Sequence, residues 1–111
     1  MIARTDQAPL DTDTMHAVAQ RVLTAGAGLS DEDTALAVLT VRGMLVVLAP
    51  VVAEAAAPRG RRDPARFWAD ISVRQAQALL GEDPGPAARR AHARRLARAL
   101  ADLLHDLAAL S

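Results

Sequence analysis

The residues of this sequence with the strongest chemical character are guanidiniums, and they fall in two settings. Arg42 is the only ionisable residue in the apolar run from Ala35 to Ala53, ALAVLTVRGMLVVLAPVVA. Arginine does not lose its proton in a protein, so a buried Arg42 requires a carboxylate, backbone carbonyls or a bound anion. Its fork of donors suits an anionic ligand or a partner's carboxylate. Pairing with an acidic residue of another helix, or snorkelling along Val38 and Leu45 to the surface, is the plainer way to satisfy it. Gly43 beside it costs roughly 1 kcal/mol of helix propensity relative to Ala. Close helix–helix approach is the first expectation for that glycine, ahead of ligand access.

The second setting is the cluster Arg89, Arg90, Arg94, Arg95 and Arg98. On a helix Arg90, Arg94 and Arg98 align in one stripe. Positive charge in the first turns opposes the macrodipole, at about 0.3 kcal/mol or more per exposed residue. That cost invites a phosphate or an acidic partner, although a solvated face with Arg98 paired to Asp102 explains the pattern more simply. Arg59, Arg61, Arg62 and Arg66 could extend the basic surface. Against nucleic acid stand a net charge of zero and the lack of an aromatic series for base stacking.

Other chemistries find little support. His16, His92 and His105 have no partner at a metal-ligand spacing, and the chain has no cysteine. No serine sits in a G-x-S-x-G elbow, and no glycine-rich loop follows a strand. No catalytic residue, metal or cofactor is therefore expected, and the balance leans away from an enzyme.

The elements that must position these groups are helices. Hydrophobic residues make up 51% of the 111 residues, whereas the aromatics are Phe67 and Trp68 alone. A core built from Ala, Leu and Val packs well between helices. One of the two rings is expected to anchor it and the other to lie partly exposed. Four helical segments separate at Gly and Pro. The first follows Pro9 with Asp11 as cap, Leu10 stapled to Met15, and Gly26 and Gly28 as its end. The second opens at Ser30 before Asp31, Glu32 and Asp33, and runs to about Ala57, kinked or split near Pro50. The third takes Asp63 as cap and Pro64 as its first residue, and ends at Gly81. The fourth runs from Pro86 almost to Ser111, with Leu96, Leu100, Leu103, Leu107 and Leu110 in an a/d seam.

Short connections then give an all-α antiparallel four-helix bundle, one domain over residues 9–111 after a flexible N-terminus at 1–8. The second helix has two apolar sides: Leu36, Leu39, Gly43, Val46 and Val47 on one, and Val38, Val41, Leu45, Leu48 and Val52 on the other. Such a helix is central in a bundle or shared with a second subunit, so a homodimer through this helix, the leucine seam of the fourth, or both is expected. A membrane span is disfavoured, because a central arginine costs roughly 2.5–3.5 kcal/mol on insertion scales. The N-terminus lacks the basic-then-apolar order of a signal peptide, and a cytoplasmic protein is expected. Charge is uneven: residues 1–58 carry three arginines against seven acidic residues, and residues 59–111 carry ten against six. The two halves can attract each other within a bundle, or one can present a basic face.

The segments LDTDTMHAVAQRVLTAGAGL, LTVRGMLVVLAPVVAE, VRQAQALLGEDPGP and AHARRLARALADLLHDL, in that order, resemble a family of small actinobacterial proteins of unknown function. Its members are usually labelled natural product biosynthesis proteins. The resemblance is carried most by Arg42-Gly43 followed by Pro50, and by His92 to Leu100. In that family a Glu often follows the proline directly, whereas here Val51 and Val52 follow it and the nearest acid is Glu54. The resemblance implies an association with specialised metabolism and no particular reaction. A non-enzymatic accessory or interaction protein is the leading expectation, with an unidentified protein as a further possible partner. A regulator touching nucleic acid through Arg89–Arg98 and a bundle holding an anion at Arg42 are the alternatives.

Overall fold

The computed structural model describes residues 10–25 and 28–111. The flexible segment expected over residues 1–8, Pro9 and the helix-ending role of Gly26 lie outside the described residues. Among the described residues the fold has four α-helices: α1 (Thr12–Ala25), α2 (Asp31–Ala56), α3 (Pro64–Leu80) and α4 (Arg89–Leu110). The first three start where a side chain answers the free N–H groups of the opening turn. Asp11 accepts from the Thr14 amide at 3.0 Å and from the Thr14 hydroxyl. Ser30 accepts from the Asp33 amide at 3.0 Å, with three acidic residues in the first turn of α2. Asp63 accepts from the Ala65 amide at 2.9 Å, and Pro64 takes the first helical position. These bonds hold two carboxyls below their ordinary pKa: Asp11 through Thr14, and Asp63 through Arg59 first and the Ala65 amide second.

α4 starts differently from the expectation. Pro86–Ala88 form a 3-10 turn, and the α-helix begins at Arg89 with no side-chain cap. Gly85 offers no capping side chain and Pro86 no N–H, so the turn closes tightly, from the Ala88 amide to the Gly85 carbonyl at 3.1 Å.

The all-α four-helix bundle expected from the sequence is the architecture found. α4 packs against each of the other three helices, and α2 against α3 as well. α1 leans on α4 and barely meets α2, while the backbones of α1 and α3 stay apart. Leu45 and Leu48 of α2 are fully buried against Leu96, Leu100 and Leu103 of α4, with Ala19, Ala69, Ala76 and Ala97 letting the helices close together. The leucine seam of α4 is thus filled by its own chain, and it is not available to a second subunit.

The two sides of α2 part as their spacing implies. Val41, Leu45, Leu48 and Val52 are buried, whereas Leu36, Leu39, Val46 and Val47 are exposed, Leu39 by 69% and Leu36 by 61%. α2 continues as one helix through Pro50, which lies on the exposed side. Val46, whose carbonyl loses its amide partner there, is exposed too, so water can serve it. By length and composition α2 could cross a membrane. The central Arg42 opposes this, and α2 buries its other side against α3 and α4.

This division of α2 gives the first expected outcome. Leu45→Ala should cost about 2–5 kcal/mol in urea unfolding, and Leu39→Ala about 0.5 kcal/mol or less in the isolated protomer.

Candidate functional site

Arg42 is half-buried and lies at the edge of the α2 core side. Its Nη2 donates to the Leu80 carbonyl at 2.7 Å. Leu80 is the last residue of α3, a helix with no basic residue in its final turn, so Arg42 supplies the missing cation to the negative end of the dipole. No carboxylate pairs with Arg42 among the described residues. Arg42 also lines a notch of about 470 Å³ between α2, the end of α3 and the start of α4. Gly43 is exposed, and a methyl group built on it would meet nothing within 4 Å. Close approach to another helix of the same chain is therefore not its role; the glycine faces outward, away from α3 and α4.

Arg42, Arg89 and His92 line this notch together with Glu82 and Asp83. Arg89 and His92 are one turn apart on α4. His92 is 2% exposed, and neither ring nitrogen has a hydrogen-bond partner. Its Nδ1 lies 3.6 Å from Glu82 Oε1, beyond a good hydrogen bond. Arg95 draws that carboxylate outward with two bonds of 3.2 Å. Burial holds the imidazole below its ordinary pKa of 6.5; Glu82 and Asp83 oppose this, and Arg95 and Arg42 reinforce it.

The stripe expected on α4 is divided among different tasks. Arg90 donates to the Leu29 carbonyl at 3.0 and 2.7 Å and pairs with Asp31 at 3.0 Å, clipping the start of α4 to the start of α2. Arg95 is held by Glu82. Arg94 and Arg98 remain exposed, beside a depression of about 530 Å³ between α3 and α4. The pair expected between Arg98 and Asp102 is not among the ion pairs of the described residues. Burial, with Asp106 adding to it, pushes the Asp102 carboxyl above its ordinary 3.8, and Arg98 and His105 pull it back only in part. Asp106 is buried and accepts from the Ser72 hydroxyl.

Phe67 and Trp68 are both exposed, stacked edge to face with centroids 5.2 Å apart. Neither anchors the core, because α3 presents Ala69, Ser72, Val73, Ala76 and Leu79 inward. Read only as a possible metal ligand, His92 gives no hint of this site. One sequence signal does point inward: it stands four residues before Leu96, extending the buried seam by one step.

The geometry defines a small helical bundle with one buried, unpartnered imidazole and two guanidiniums at a surface notch. The chain belongs to the family of unknown function DUF6415, whose model matches residues 13–111. No curated protein and no solved structure matches it.

His92 makes stability depend on pH in a definite sense. With its native pKa below 6.5, the unfolded chain takes up a proton that the native imidazole refuses. Its contribution is intact above pH 6.5 and lost as pH falls below it. His92→Leu should therefore match or exceed the wild type in urea unfolding, since an unpartnered buried polar group costs about 1–3 kcal/mol. Its advantage should widen below pH 6.5.

Proposed function

We propose that this chain is a non-enzymatic, cytoplasmic helical accessory protein that works as a homodimer in actinobacterial specialised-metabolite biosynthesis. The metabolic setting rests on the sequence resemblance described above. The exposed side of α2 carries the interaction reading. Leu36, Leu39, Gly43, Val46, Val47, Pro50 and Ala53 lie on it, and between Asp33 and Glu54 no exposed residue of α2 is ionisable. Leu36, Leu39, Gly43, Val46, Pro50 and Ala53 follow one another by alternating steps of three and four, the spacing of a helix-pairing seam.

A second copy is the occupant this face fits best. Gly43 stands at the middle of α2, with large apolar residues on both sides of it. A two-fold axis at Gly43 sets Leu36 and Leu39 of one copy against the valines and Pro50 of the other, which is the self-complementarity an isologous interface needs. The open space above Gly43 lets the two helices approach to about 8 Å. Nucleic acid is less favoured, because Arg90 and Arg95 are engaged within the chain and net charge is zero.

Light scattering at micromolar concentration should give twice the 11.7 kDa of one chain. Leu39→Glu and Gly43→Leu should each give the single-chain mass while keeping the helical circular dichroism, since neither position is packed in the protomer. A wild-type mass of 11.7 kDa would overturn the dimer.

A further inference from the structure

The notch beside Arg42 holds three features that the dimer reading leaves unused. The first is His92, whose buried nitrogens lack partners although about nine in ten buried polar groups have one. The second is the guanidinium pair. Arg42 spends one nitrogen on Leu80, and the Arg89 side chain makes no hydrogen bond or ion pair among the described residues. The third is an apolar wall of Val38, Leu80 and Pro84 on the same notch. Its volume of about 470 Å³ falls in the range of small-molecule sites.

We propose that this notch binds a small organic monocarboxylate, its carboxylate held by Arg42 and Arg89 above the buried His92 imidazole, and its apolar body laid on Val38, Leu80 and Pro84. A carboxylate can accept from the planar forks of two arginines, and its charge is felt by the imidazole buried behind them. The charge of the surroundings selects a monoanion. Glu82 is diverted by Arg95, but Asp83 stays at the rim and repels a doubly charged phosphate more than a carboxylate. The wall adds what an inorganic anion cannot use, because apolar area gains free energy only from an apolar body.

Binding is linked to protons through the groups that face His92. Glu82 and Asp83 from the α3–α4 connection favour its cation, while Arg42 of α2 and Arg95 of α4 oppose it. Arg89, on the preceding turn, adds a further positive charge. A bound carboxylate adds negative charge at the imidazole, so hexanoate should bind more tightly below pH 6.5 than above it.

The test is a titration of the full chain with sodium hexanoate, followed by proton–nitrogen correlation of the His92 ring. The ring signals should move saturably at millimolar hexanoate, and much less with sodium phosphate or hexylamine. Arg89→Gln should weaken hexanoate about tenfold. This variant removes no bond of the fold, so its circular dichroism should match the wild type. His92→Leu should weaken hexanoate and abolish the pH dependence of binding. An unmoved His92 ring, an equal response to phosphate, a preference for hexylamine, or Arg89→Gln binding as the wild type does would each overturn the proposal. Light scattering on the same samples keeps this result separate from the dimer, because the notch is formed within one chain.

Discussion

The close packing of α4 against three other helices is the constraint on which the rest depends. With two aromatic residues in 111, the chain must fill its interior with leucine, valine and alanine. Small side chains exclude water only when helix axes come close, and alanines at positions 93, 97 and 99 allow that around α4. α1 has almost no support except α4, so it is the element most easily lost by local unfolding. α2 and α3 support each other as well as α4, and the Arg42 notch sits where those three meet.

Helix ends are the second problem the structure solves, and it solves it with arginines from elsewhere in the chain. α2, α3 and α4 all lack a basic residue in their last turns. Arg66 donates to the Ala57 carbonyl just past α2, Arg42 to Leu80 at the end of α3, and Arg59 to Leu110 at the end of α4. Guanidinium suits this work because it keeps its charge when partly buried and can bond a carbonyl while leaving other donors free. Every basic side chain of the 13 is arginine, and three of them serve helix ends in this way. The same property lets Arg42 both fix the fold and face an open notch.

Most of the fold was legible from local rules. Caps at Asp11, Ser30 and Asp63, the stop at Gly81 and the two sides of α2 all follow from side chains within a turn or two of each other. The site was legible only in part. Arg42 stood out as a charge without a visible partner, but its partner is a backbone carbonyl 38 residues away, which no residue type announces. The engagement of Arg90 with Leu29 and Asp31 was hidden for the same reason, since it depends on how two helix starts meet. Gly43 and the Phe67-Trp68 pair misled differently. Size alone suggested tight packing within the chain for the one and a core anchor among the other two, whereas Gly43 faces outward and both rings are exposed.

Those two rings have a spectroscopic consequence. The chain has a single tryptophan and no tyrosine, so its near-ultraviolet absorption and emission come almost entirely from Trp68, which is 59% exposed. Its indole already meets water in the native protein, next to the groove that holds Asp102, His105 and Asp106. Intrinsic fluorescence is accordingly a poor thermometer of this core and a good antenna for whatever touches the outer face of α3. Melting should leave the emission colour almost where it was, whereas an occupant of that groove should turn it blue.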